Sequence, residues 1–168
     1  MPSRKVVSYP VTGERVQMAK AAVITHSVYG NTQKVGQALG RGLKEQGITV
    51  HYFKVEEVDP AKLSRYDLLA VGGPTHAFRM SKPIKQFLGQ LKGVDLQARY
   101  GFAFDTRFNN RLAGSAAKRI EKQLKKLKLK IIRSRESAIV TGREGPLAEG
   151  TEDRFRQIGA EIGKLFAQ

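Results

Sequence analysis

Apolar positions along this chain come in two alternating kinds of stretch. Short apolar or apolar-rich runs at residues 21–24, 48–53, 67–72, 99–104 and 137–141 have the length of strands, and residues 130–132 are a candidate for a further short one. Between them, apolar residues recur at helical spacing. Val35, Ala38, Leu39, Gly42 and Leu43 share one face, as do Ile84, Phe87, Leu88 and Leu91. Ala116, Ile120, Leu124 and Leu127 make a third stripe, and Phe155, Ile158, Ile162, Leu165 and Phe166 a fourth. Runs such as Leu68, Leu69, Ala70 and Val71 are continuous rather than alternating, which suits strands covered on both faces.

The boundary residues agree with this pattern. Gly47 is a natural C-cap for the first helix. Ser81, with Pro83 close behind, opens the second helix, Ser115 opens what reads as the longest, and Thr151 caps the last. Asp59-Pro60 and Ser64 fall in a connection or short helix. Five strands alternating with helices predict an α/β fold, a doubly wound five-stranded parallel sheet. In the order 2-1-3-4-5 a crevice opens at the strands' carboxyl ends where the order reverses, and the loops after strands one, three and four meet there.

Those three loops carry the unusual chemistry. The first, residues 25–30, is rich in hydroxyls and ends in Gly30 before a helix starts at Asn31. A strand that empties into such a turn is an anion site: the helix's first N–H groups are unpaired, its dipole is positive there, and Ser27 and Thr32 offer further donors. The loop is neither a Walker loop, since no lysine stands beside the glycine, nor a Gly-x-Gly-x-x-Gly turn. The plainer alternative is a βα turn with Asn31 or Thr32 as a helix cap. The second loop runs from Gly72 through Pro74, Thr75, His76, Ala77, Phe78 and Arg79 to Ser81, and the third from Asp105 to Gly114.

Ser27-Val28-Tyr29-Gly30-Asn31-Thr32 resembles the phosphate loop of the flavodoxin-like superfamily, Ser/Thr-x-Thr-Gly-Asn-Thr, which wraps the phosphate of FMN. Tyr29 departs from the usual Thr or Ser and is similar to the Ser-x-Tyr-Gly loop of flavodoxin-like quinone reductases. Gly73-Pro74-Thr75-His76-Ala77-Phe78 resembles the loop that lines the isoalloxazine ring and bonds its polar edge. The third loop, where flavodoxins usually place a Tyr, offers Phe108. The resemblance covers residue 21 to the end. It implies FMN as cofactor, held by Thr25, Ser27, Val28, Tyr29, Gly30, Asn31 and Thr32 at the phosphate, and by Pro74, Thr75, His76, Ala77 and Phe78 together with Asp105, Thr106 and Phe108 around the ring. Phe78 and Phe108 have core packing as their alternative, and His26 and His51 read as structural.

The function implied is electron transfer, or small-substrate redox chemistry as an FMN-dependent oxidoreductase, with a redox partner protein or a small-molecule acceptor. One alternative is an NAD(P)H-quinone reductase, although such enzymes usually carry insertions for which 168 residues leave little room. No nucleophile–base pair stands out, and three histidines spread over three loops do not make a metal site, so any chemistry belongs to the cofactor.

Composition adds two constraints. With no cysteine, thiolate catalysis and disulfides are excluded. No apolar run approaches a membrane span and the first residues lack a signal peptide's apolar centre, so a cytoplasmic location is expected. The net charge of +15 points to an anionic partner. From Lys118 to Arg135 there are nine basic residues against one acid, Glu121. A third functional class follows: a binding module that meets nucleic acid or an acidic partner through this segment. Residues 1–20 read as a basic N-terminal extension to a domain at 21–168, with a short strand expected at residues 5–9 and a turn at Thr12-Gly13.

Overall fold

The computed structural model describes residues 19–167, so the strand and turn expected within residues 1–18 lie outside it. Its strands are β1 (Lys20–Thr25), β2 (Thr49–Lys54), β3 (Leu68–His76), β4 (Arg79–Met80), β5 (Tyr100–Phe108), β6 (Lys130–Ile131) and β7 (Glu136–Val140). Its helices are α1 (Asn31–Glu45), α2 (Lys82–Gln90), α3 (Ala116–Lys126) and α4 (Thr151–Phe166). The sheet runs β2-β1-β3-β5-β6, with β7 also on β5, and all these pairs are parallel. β6 pairs with the start of β5, Tyr100↔Lys130, and β7 with its end, Phe104↔Glu136 to Phe108↔Val140. Together they form one interrupted edge strand. Counted so, the order is the expected 2-1-3-4-5.

Successive residues of the central strands enter opposite cores. Ala21, Val23, Leu68, Ala70, Phe102 and Phe104 pack beneath α1 and α4. Ala22, Ile24, Leu69, Val71 and Ala103 pack beneath α2 and α3. With both faces buried, every position must be apolar, and this is why the runs are continuous. α1 lies close against α4 because glycines meet backbone there. A Cβ at Gly42 would collide with the Arg156 carbonyl, and one at Gly159 with the Leu39 carbonyl. This contact fixes the direction of α1 and so the position of its N-terminus.

Several boundaries differ from the sequence reading. β3 continues to His76 and β5 to Phe108, through residues that read as loop. Neither extension is apolar, but the ladder Gly73↔Asp105, Pro74↔Thr106 pairs them to each other, and β7 pairs with β5 as far as Phe108. Ser115 does cap α3, accepting the Lys118 N–H at 3.3 Å. However, α3 has 11 residues against 15 in α1 and 16 in α4. It stops because the chain turns at Lys128, at φ 72°, so that Leu129 enters the core ahead of β6. Gly150, not Thr151, occupies the cap position of α4. Ser81 stands at the cap of α2 but makes no capping bond, its hydroxyl being committed to His26.

Candidate functional site

At the carboxyl end of β1 the chain passes through residues 26–30 into α1. Gly30 is the helix cap, left-handed at φ 88°, a conformation that favours glycine. It has no side chain with which to satisfy the helix's first N–H groups, and the first turn contains no acid. Ser27 Oγ accepts the Gln33 N–H at 3.4 Å, a long contact that leaves its hydroxyl proton free to donate. Thr32 Oγ1 lies 2.9 Å from Thr106 Oγ1, tying the first turn of α1 to β5. Asn31 Nδ2 donates to the Glu144 carbonyl at 3.1 Å, which brings the loop after β7 over the phosphate-type turn.

The second loop is tighter than its sequence implied. β4 folds back on β3 with Thr75↔Met80 and His76↔Arg79 paired, leaving Ala77-Phe78 as a two-residue turn. Both turn residues have positive φ, 45° and 72°. That is the pattern of hairpin turns for which Asn-Gly is favoured, and neither residue here is glycine. The turn is clamped from outside: Arg119 Nε donates to the Phe78 carbonyl at 3.2 Å, and Phe78 lies directly on Gly114, where a Cβ would fall 2.7 Å from its Cα.

The loops enclose one cavity of about 490 Å³. Of the residues expected at the site, Ser27, Val28, Tyr29, Asn31, Thr32, Pro74, Thr75, His76, Ala77, Thr106 and Phe108 line it. Four do not. Thr25 is buried under α1, its methyl 3.0 Å from where a Cβ on Gly36 would stand. Gly30 acts by shaping the backbone. Phe78 projects from the hairpin, 54% exposed. Asp105 is fully buried and turned away from the cavity. Its Oδ2 accepts from Thr75 Oγ1 at 3.2 Å, Ser115 Oγ at 2.8 Å and the Ala117 N–H at 2.9 Å. It joins the second loop, β5 and the N-terminus of α3, and thereby positions Thr75. Phe108 is 49% exposed, so core packing fails as an account of either phenylalanine.

Arg107, in the third of the expected loops, also lines the wall, and two wall residues, Val140 and Arg143, lie outside those loops. Val140 ends β7, the edge partner of β5, and Arg143 follows it, at a carboxyl end that also faces the crevice, so the fold alone pointed to them. Arg107 donates to the carbonyls of Gly114 (2.8 Å), Asn110 (3.3 Å) and Phe108 (3.4 Å), fastening the turn that carries Phe108. His26 sits beneath the second loop rather than on the cavity wall. Its Nδ1 is 2.8 Å from Ser81 Oγ and its Nε2 3.8 Å from Glu56. Burial holds its pKa below the usual histidine value of 6.5, with Glu56 pulling upward and His76 adding to the depression. His51 is structural, bonded to the Tyr66 hydroxyl at 2.6 Å.

One end of the cavity therefore presents an uncapped helix N-terminus and hydroxyl donors, with a cation, Arg143, on the wall. The second and third loops present Pro74, Ala77 and Phe108, and Tyr29 adds a further flat, largely apolar surface to the wall. A dianionic phosphate fits the helix N-terminus and a planar ring the apolar surface. This is the crevice of a mononucleotide-binding doubly wound protein. The flavodoxin family model matches residues 23–158, and the chain belongs to the flavodoxin family, whose members bind FMN. It is 26% identical over 151 residues to an uncharacterised protein of Methanocaldococcus jannaschii, covering 86% of this chain and 37% of that one. It is 31% identical over 111 residues to the NAD(P)H dehydrogenase (quinone) of Methylocella silvestris, covering 52% of this chain and 56% of the relative. The chain thus spans between about a third and just over half the length of these curated relatives. Among solved structures, oxidised flavodoxin 2 of Bacillus cereus superposes with a TM-score of 0.78 at 17% identity, over 88% of this chain and 99% of that one. Among the described residues no helix is long and apolar enough to cross a membrane.

Proposed function

We propose that this chain is a cytoplasmic electron carrier that holds FMN in the 490 Å³ cavity and passes electrons to a redox partner. The phosphate is held by the backbone N–H groups that follow Gly30 and by the hydroxyls of Ser27 and Thr32. The backbone of residues 74–77, stiffened by Pro74, runs along the ring edge, and Tyr29 and Phe108 cover ring surface. When bound, the flavin supplies one- or two-electron transfer; the chain's own residues bind, orient and partly shield it. The observation that carries this reading is a glycine-capped helix N-terminus, without an acid in its first turn, opening onto a cavity of flavin size.

The test is titration of FMN and riboflavin side by side, with the visible spectrum as readout. Riboflavin, lacking phosphate, should bind far more weakly. Ser27→Ala and Thr32→Ala should each weaken FMN by about 1.5–3 kcal/mol, the usual worth of hydrogen bonds to a charged group, while leaving riboflavin unmoved. Equal affinity for the two ligands would overturn the phosphate assignment.

A second reading, reduction of quinones by NAD(P)H, has two specific supports: the Ser27-x-Tyr29-Gly30 sequence and the likeness to the Methylocella silvestris protein. Steady-state oxidation of NAD(P)H that depends on both flavin and quinone would place the chain there. The reading also includes an anionic partner at the segment from Lys118 to Arg135, and residues 1–20 as an extension to the flavin-binding domain.

A further inference from the structure

The two faces of the sheet carry their charge differently. On the α1–α4 side, exposed acids are interleaved with the bases and several are paired, Arg41 with Glu152, Arg156 with Glu45 and Asp153, and Arg133 with Glu161, while Lys34, Lys44 and Lys164 have no ion pair among the described residues. On the α2–α3 side acids and bases are not interleaved. The one acid of α3, Glu121, is buried and fully engaged by the backbone N–H and guanidinium of Arg135, at 2.9 and 3.2 Å, with Lys125 at 3.7 Å. That leaves Lys118, Lys122 and Lys126 exposed, without an ion pair among the described residues. They stand at successive four-residue steps, so they form a single stripe rising about 6 Å per step. At the C-terminal end of α3 the stripe meets a groove of about 690 Å³ between α3 and the segment after α2, where Lys92 and Lys128 join Lys126. The acid in that groove, Asp95, already accepts the Gln97 N–H at 3.2 Å.

We propose that the α2–α3 face binds the phosphate backbone of nucleic acid without regard to sequence. The surface favours this partner over the other polyanions. A stable protein–protein interface needs an apolar centre inside its polar rim, and a membrane-surface helix needs apolar residues that enter the lipid. Among the described residues, the exposed large apolar side chains lie on other elements, none of them α2 or α3. The apolar side of α3 is spent in the core, on Ala116, Ala117, Ile120 and Leu124. What remains is a row of compact, hydrated ammonium charges on flexible stems, suited to point contacts with closely spaced phosphates. Neither α2 nor α3 itself carries an exposed aromatic, so no base is stacked on the stripe and affinity comes from released counterions. None of these five lysines lines the flavin cavity.

The test measures binding of a mixed-sequence DNA duplex by fluorescence anisotropy at several salt concentrations. Each neutralised phosphate adds about −0.9 to the slope of log affinity against log salt, so five lysines give about −4.5, a loss of about 500-fold between about 50 and 200 mM. Changing Lys118, Lys122 and Lys126 to Gln should cut the slope to about −1.8 and the loss to about 12-fold. The parallel variant Arg41→Gln, Lys44→Gln, Lys164→Gln on the α1–α4 side should leave the slope within one unit of the parent. Thermal melting establishes that both variants fold, and should either fail, the single changes Lys122→Gln and Lys44→Gln are compared instead. Polyglutamate and phosphatidylserine vesicles, matched in total charge, should bind more weakly than the duplex. Four results would each overturn the proposal: a flat salt dependence, an unaltered slope in the α3 variant, an equal change in the α1–α4 variant, or tighter binding of polyglutamate or vesicles.

Discussion

The Ala77-Phe78 turn makes a prediction that opposes the usual rule for glycine. At an ordinary position alanine is more stable than glycine, because glycine gives the unfolded chain about 0.4–1 kcal/mol more conformational freedom. At Phe78 the backbone is left-handed, φ 72°, where any Cβ approaches the following carbonyl at a cost of about 1–2 kcal/mol. Comparing Phe78→Gly with Phe78→Ala removes the same ring in both variants, so lost packing cancels and the backbone term remains. The balance is the left-handed cost less the unfolded-state term. Phe78→Gly should therefore be the more stable of the two by up to about 1.6 kcal/mol. For a chain of this size that is a melting temperature higher by up to about 6 °C. The assay is thermal unfolding of both variants, with the Gln86→Gly and Gln86→Ala pair on the exposed side of α2 as the reference, where alanine should win. If Phe78→Ala melts above Phe78→Gly by the same margin as the reference pair, the turn is unstrained. The clamps of Arg119 and Gly114 would then need another explanation.

Two further predictions follow from the loops around the cavity. His26 is neutral in the fold and its pKa lies below the unfolded 6.5, so between those values only the unfolded chain takes up the proton; stability is full above pH 6.5 and falls as pH drops below it. Unfolding measured from pH 7.5 to 5.5 should show this decline, less steep in His26→Gln, and an identical profile in that variant would refute the assignment; Glu56 and His76 are the titratable neighbours to control. Gly145, at φ 102°, abuts Asn31, where an added Cβ would lie 2.8 Å from the side-chain amide. Gly145→Ala should lower stability by about 1–2 kcal/mol and weaken FMN more than riboflavin, since it displaces a residue at the phosphate end; an unchanged melting temperature would rule this out.

Much of the fold was legible because two-sided burial leaves a plain signature. Ala21–Ala22–Val23–Ile24 and Leu68 through Val71 must be apolar at every position, and such runs stand out without any partner in view. The ends of β3 and β5 were not legible for the opposite reason. Gly73, Pro74, Asp105 and Thr106 hold their strand conformation by pairing with each other, a relation between segments some thirty residues apart that no local pattern carries. The same limit explains Ser81. Its place before a helix gave the cap, but the hydroxyl's choice of His26 over the helix depends on a residue 55 positions away.

Asp105 shows what motif reading leaves out at the site itself. Its place in the third loop beside Thr106 and Phe108 made it a candidate flavin contact, yet it touches no part of the cavity. Three donors converge on its Oδ2: the Thr75 hydroxyl from the second loop, and the Ser115 hydroxyl and Ala117 N–H from the start of α3. A buried carboxyl group is costly to desolvate, and here the helix N-terminus and the two hydroxyls offset part of that cost at Oδ2, while Oδ1 has no hydrogen-bond partner among the described residues. Thr75 in turn accepts the Ala116 N–H at 3.0 Å, so the threonine is held from both sides and cannot rotate freely. A residue of the cavity wall is thus positioned by one that is not part of it, and α3, which bears the basic stripe, is anchored at the same carboxyl group. One buried acid thereby joins the second loop to the helix that carries the basic stripe.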